Sequence, residues 1–182
     1  GDLDFAYVSC NGQERGDRQR TPAERNALWG RLAAQHEHTP LQLLLQGGDQ
    51  LYADEMLDVH PRVRAWAKGT WTDRLDEQEA DEIRRRLRSH LLERYLELYS
   101  QPGPAWLLAR APTLCMWDDH DICDGWGSLP PAQLDAPIGR LVFETAREFF
   151  LLFQFAARPN ERPPMCLDRS GATLGWRVRL PG

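Results

Sequence analysis

Side chains that can bind a cation follow three short apolar runs of the sequence. The residues at the ends of these runs are Cys10, then Asp49, then the neighbours Asp119 and His120. Carboxylates that converge on one point repel one another unless a proton or a cation neutralises them. Because several such groups recur here together with a thiol and an imidazole, a metal ion is the better interpretation.

Each of these apolar runs predicts a β-strand. Leu3–Cys10 is rich in strand formers and precedes the turn signal Asn11-Gly12. Leu41–Leu45 is almost continuously apolar, which is typical of a strand buried on both faces of a parallel sheet. Thr113–Trp117 predicts a third strand, and the alternating segment Trp176–Leu180 predicts a half-exposed fourth.

Helical patterns separate the predicted strands. Thr21–Glu24 combines a capping hydroxyl, a proline at the first helical position and a glutamate three residues after the cap, which predicts a helix start. Apolar residues keep helical spacing over Asp76–Ser100 and again over Ile138–Ala157, and the second of these helices should be largely buried. Two ion pairs across one turn are expected in the first: Asp81 with Arg85, and Glu82 with Arg86.

This alternation predicts an α/β fold, a layered sheet of mainly parallel strands flanked by helices. In open sheets of this kind, ligands bind outside the carboxyl ends of the strands. We therefore expect Cys10, Asp49, Asp119 and His120 to meet at one edge of the sheet.

The composition and net charge of the chain argue against some classes of function. A hydrophobic content of 42% and a charged content of 27% over 182 residues are ordinary for one globular domain. The net charge of −5 argues against a surface for nucleic acid, and no apolar stretch approaches the roughly 20 residues that cross a membrane. The four cysteines include no C-x-x-C pair. The start, Gly1–Asp4, has no signal-peptide character, so localisation stays open between the cytoplasm and export after signal removal.

Two motifs, Gly47–Asp54 and Trp117–Asp121, closely resemble the signatures of alkaline phosphatase D and related phosphodiesterase-like enzymes. The Ser9-Cys10 strand end fits the same pattern, and the resemblance runs as far as the Asp124–Gly127 loop. These enzymes belong to the calcineurin-like metallophosphoesterase superfamily. The resemblance implies half of an αββα sandwich and a binuclear metal centre that activates water to hydrolyse phosphoric esters, small or polymeric.

The resemblance also implies roles for individual residues. Asp49 matches the aspartate that bridges two metal ions. Cys10 and Tyr52 match the thiolate and phenolate that bind one ion, expected to be Fe(III), and Asp119 would bind a divalent ion such as Ca, Zn or Mn. His120 matches the histidine that assists phosphoryl transfer, and Asp121 the acid that orients it.

Read without the resemblance, each residue has a simpler interpretation. Cysteine is commonly buried, so Cys10 could pack in the core. Asp49 could cap a helix, and Tyr52 with Asp54 could be ordinary loop residues. The acidic cluster Asp118–Asp121 could form a solvated turn, although nothing structural requires four polar residues directly after an apolar strand.

The sequence departs from the superfamily pattern in its second half. Members complete the centre with later histidines, including a Gly-x-His-x-His segment, whereas no histidine follows His120 here. We therefore expect residues 1–182 to be a single incomplete metallophosphoesterase domain, truncated at the carboxyl end and inactive alone. The alternative is a non-catalytic α/β fragment or metal-binding module that serves in folding or interaction.

Overall fold

A computed structural model describes residues 3–13, 19–72 and 74–158. A parallel sheet of three strands forms its centre, in the order β1 (Phe5–Val8), β2 (Leu43–Gly47) and β3 (Thr113–Met116). The predicted α/β class and its first three strands are confirmed. The predicted strand Trp176–Leu180 lies outside the described residues.

Seven α-helices accompany the sheet in the described part of the chain. Their bounds are α1 Pro22–Arg25, α2 Ala27–His38, α3 Pro61–Ala67, α4 Glu77–Ser100, α5 Pro102–Leu108, α6 Pro131–Leu134 and α7 Pro137–Phe155. Short 3₁₀ turns cover Asp54–Asp58, Asp119–Asp121 and Trp126–Ser128. None of the described helices is long and apolar enough to span a membrane.

The three predicted helix positions are confirmed. At the first, Thr21 and Glu24 form the reciprocal capping box, but the helix ends after one turn and a second begins at Ala27. In α4, Arg86 pairs with Glu82 at 2.7 Å as expected. The predicted partner of Asp81 is wrong: it pairs with Arg84, three residues away, instead of with Arg85.

The core lies between α4 and α7. Tyr95 of α4 stacks on Phe153 of α7 with ring centroids 4.6 Å apart, and Ile83, Leu87 and Leu91 of α4 are fully buried. Helix α7 also contacts β3, so this pair of packed helices supports the strand that precedes Asp118–Asp121.

One face of the sheet is buried by helices, and the other is exposed. The side chains of Leu44 and Cys115 lie on the covered face and are buried. On the opposite face, Phe5, Tyr7 and Met116 are more than half exposed, since no described helix covers them. The described residues therefore leave one face of the sheet open.

Leu87→Ala tests the core. Leu87 is fully buried in α4, so truncating it should lower the free energy of unfolding by about 3 kcal/mol. Leu96→Ala in the same helix is the control, because Leu96 is 55% exposed and its loss should cost less than about 0.5 kcal/mol. Urea unfolding measures both, and equal losses would contradict the packing described.

Candidate metal centre

Two backbone hydrogen bonds join the loops that follow β1 and β2. The N–H of Cys10 donates to the Gly48 carbonyl at 3.1 Å, and the N–H of Asn11 donates to the Asp49 carbonyl at 2.8 Å. Cys10 and Asp49 both adopt left-handed backbone conformations, with φ of 57° and 55°. Such strain in two non-glycine residues persists only where surrounding contacts hold it, and it is concentrated at functional sites. These two backbone contacts bring Cys10 next to Asp49.

Gly48 allows the loop after β2 to approach the loop after β3. Its φ is +107°, and a Cβ placed on it would lie 2.6 Å from the Cβ of Asp118. Only glycine satisfies both the conformation and the contact. The residues that follow, Asp49 and Asp119, are consequently held close together.

The buried side chain of Asp121 links the loop after β2 to the loop after β3. It is 1% exposed, and its carboxylate accepts hydrogen bonds from the backbone N–H groups of Asp49 (2.8 Å), Leu51 (3.0 Å) and Asp118 (3.0 Å). Burial raises the pKa of Asp121 to about 7, against the lowering effect of the three donors. The carboxylate of Asp121 therefore binds the backbone of the site, and the carboxylate in contact with the His120 imidazole is that of Asp54.

Asp54 contacts His120 in the place predicted for Asp121. Its Oδ2 lies 2.7 Å from His120 Nδ1, and its Oδ1 accepts from the N–H of Asp124 at 2.6 Å. The ring of Tyr52 stacks on the imidazole with centroids 4.3 Å apart and an interplanar angle of 23°. Burial lowers the pKa of His120, but the hydrogen bond and charge of Asp54, with the charges of Asp49 and Asp119, raise it above its usual value.

Asp49, Asp119 and His120 each offer a ligand atom within 4.8 Å of the others. Asp49 is 6% exposed, and burial raises its pKa, with a further increase from the charge of Asp118, whereas the charge and N–H of His120 lower it. Asp119 Oδ2 accepts from the N–H of Gly125 at 2.7 Å, which fixes its carboxylate toward the cluster. Two carboxylates and an imidazole are a donor set suited to a divalent ion.

Comparison with known proteins identifies the family of the chain. The family described as PhoD related phosphatase matches residues 5–160. The chain belongs to this family. An uncharacterized protein of Saccharomyces cerevisiae, YGR266W, is 28% identical to the chain over 161 residues, which cover 80% of the chain. The match spans 23% of the yeast protein, so the chain corresponds to about a quarter of that relative's length. No solved structure matches the chain.

The structure brings the predicted site residues to one edge of the sheet. Asp49, Asp119 and His120 form the cluster, Cys10 adjoins Asp49, and Tyr52 adjoins His120. Their roles as ligands and catalyst stay predictions.

Sequence reasoning treated Asp54 only as part of a motif. Its position five residues after Asp49 was visible in Gly47–Asp54, but spacing does not show which carboxylate reaches an imidazole more than sixty residues later.

Asp121→Asn tests the buried carboxylate that holds the two loops. Asparagine keeps the size but offers one acceptor atom to three backbone donors, so the free energy of unfolding should fall by about 2 kcal/mol. Asp124→Asn is the matched control, since Asp124 is exposed and its backbone N–H is unchanged by the substitution. Thermal unfolding followed by circular dichroism measures both variants, and an Asp121→Asn protein as stable as the control would refute this role.

Proposed function

We propose that this PhoD related phosphatase hydrolyses phosphoric esters, as a phosphomonoesterase or phosphodiesterase, at a binuclear metal centre on the carboxyl edge of its sheet. The observation that carries the proposal is the cluster of Asp49, Asp119 and His120, whose ligand atoms lie within 4.8 Å of one another. Membership of the family supports a phosphatase-type reaction.

In this proposal Asp49 lies between two ions. Cys10 and Tyr52 bind one of them, for which a thiolate and a phenolate favour Fe(III), and Asp119 binds a divalent ion such as Ca, Zn or Mn. The backbone hydrogen bonds between the loops of Cys10 and Asp49 support a shared first ion, because they place the two residues side by side. Ions held by these residues would polarise the phosphoryl oxygens and acidify a water.

His120 and Asp54 act together as the proton donor in this proposal. Asp54 holds Nδ1 at 2.7 Å, so the proton that leaves the imidazole is the one on Nε2. Stacking on Tyr52 fixes the plane of the ring, and the raised pKa keeps the imidazole protonated to higher pH. His120 then donates the Nε2 proton to the leaving oxygen of the ester.

The described residues supply only part of such a centre. Because His120 is the proton donor in this proposal, the ligands in the described ranges are Asp49, Asp119, Cys10 and Tyr52, and two ions need more than these. We propose that further ligands come from parts of the protein outside the described ranges. A non-catalytic metal-binding module is the rival function, and the short ligand set is the observation that favours it.

Removal of the bridging carboxylate tests the proposed centre. Asp49→Asn in the full-length protein should abolish hydrolysis of both p-nitrophenyl phosphate and bis-p-nitrophenyl phosphate, and dialysis against a chelator should do the same reversibly. Asp124→Asn is expected to keep its activity. Inactivity of the metal-loaded wild-type protein on a broad panel of monoesters and diesters would favour the non-catalytic module.

Asp54→Asn tests the proton donor. With its acceptor carboxylate gone, His120 loses both its orientation and its raised pKa, so kcat should fall roughly 100-fold while KM changes little. Asp58→Asn in the same 3₁₀ turn is the control, because Asp58 pairs with Arg64 on the surface. Steady-state kinetics separates the two constants, and an unchanged kcat for Asp54→Asn would remove Asp54 from the mechanism.

A further inference from the structure

A cavity of about 240 Å³ lies between α4 and the loops that follow β1 and β2. Gln13, Gln50 and Tyr52 line it from the loops, and Arg94 and Glu97 line it from α4. Asp49, Asp119 and His120 do not line it, but Gln50 and Tyr52 in its wall belong to the same loop as Asp49. The cavity and the proposed centre therefore share a boundary.

Arg94 is a buried cation in the wall of this cavity. The residue is 4% exposed, and its guanidinium donates to Glu97 Oε2 and to the Gln13 carbonyl, both at 2.7 Å. Its Nε finds no hydrogen-bond partner among the residues that the structure describes. Arginine is rarely buried to this extent, because removing its charge from water is costly unless the charge is fully compensated. Its ion-pair partner Glu97 has a side chain that is 45% exposed.

Gln50 is a second buried polar residue in the same wall. It is 3% exposed, and its Nε2 donates to the Gly48 carbonyl at 2.7 Å. Its Oε1 accepts no hydrogen bond from any part of the chain within the described ranges. A buried donor and a buried acceptor without partners, both lining one cavity, are what a polar ligand would satisfy.

A buried guanidinium favours an anionic group over a neutral one. Arg94 provides that guanidinium among the described residues that line the cavity, which also include Arg25 and Glu97. The cavity also adjoins the proposed reaction centre, because Tyr52 lines it and stacks on His120 with ring centroids 4.3 Å apart. A ligand that occupied both places would carry one anionic group at the metal cluster and a second one beside Arg94.

We propose that this cavity is a subsite for a second anionic group of the substrate, and that Arg94 determines the preference for it. The substrate class is then a phosphoric ester with another phosphoryl or carboxylate group a few bonds from the scissile phosphorus. Arg94 provides the charge-assisted hydrogen bonds, and Gln50 Oε1 accepts from a hydroxyl of the same ligand. This inference rests on the proposed function for the position of the first anionic group.

Two phosphonates that are not hydrolysed test the subsite. Propane-1,3-diylbisphosphonate and propylphosphonate differ by one terminal anionic group, and calorimetry measures their binding to the metal-loaded full-length protein. The wild-type protein should bind the bisphosphonate about tenfold more tightly, beyond the statistical advantage of its two ends. Arg94→Gln should remove that preference and leave the affinity for propylphosphonate within about twofold.

Two further variants separate recognition from folding. Glu97→Gln removes the countercharge of Arg94, so it should strengthen the preference for the bisphosphonate, the opposite of the effect of Arg94→Gln. Arg84→Gln in the same helix, whose side chain is exposed, should leave the preference unchanged. If Arg94→Gln does not fold, the direction of the Glu97→Gln effect decides the proposal.

Equal weakening of both phosphonates by Arg94→Gln, or no change in preference for either cavity variant, would overturn the subsite. Hydrolysis of p-nitrophenyl phosphate is measured in parallel, because this ester has no second anionic group. Its absence in the wild-type protein would count against the proposed function, whereas the phosphonate preferences report on the cavity independently.

Discussion

The candidate site depends on one buried carboxylate, that of Asp121, and the three backbone N–H groups that it binds. Two of these groups belong to the loop after β2 and one to the loop after β3, so a single side chain fixes the separation of two chain segments far apart in sequence. Removing a carboxylate from water is unfavourable, and the raised pKa expresses that cost. In return, the hydrogen bonds of Asp121 hold the two loops that carry Asp49 and Asp119 together, although these two acidic groups repel each other.

The parallel sheet supplies the second constraint. Because β1, β2 and β3 run in the same direction, their carboxyl ends lie side by side, and each following loop begins at the same edge. Hydrogen bonds between the first two loops and the close contact of Gly48 with Asp118 then set the positions of the side chains. Arg94 of α4 lies in the wall of a polar cavity beside the same edge. The proposed metal centre and the proposed subsite for the substrate are therefore neighbours on one side of the domain.

Local patterns in the sequence were sufficient for the elements that form this edge. Apolar runs ended by glycine or acidic residues predicted the three strands, and parallel topology predicted that Cys10, Asp49, Asp119 and His120 would gather. The choice among neighbouring carboxylates was not predictable in this way. Asp121 follows His120 directly, but the 3₁₀ turn directs it inward to the backbone, and Asp54 reaches the imidazole through the path of its own loop. Similarly, the rotamers of α4 decided that Asp81 pairs with Arg84. Such outcomes depend on tertiary geometry that residue spacing does not encode.

Anomalous scattering from crystals of the metal-loaded full-length protein tests the central claim most directly, because it locates each ion and identifies its element. The account predicts two neighbouring ions that share the carboxylate of Asp49, with Cys10 and Tyr52 on one side and Asp119 on the other. Ions bound elsewhere in the protein, or an Asp49 carboxylate that contacts no ion in fully loaded crystals, would contradict it.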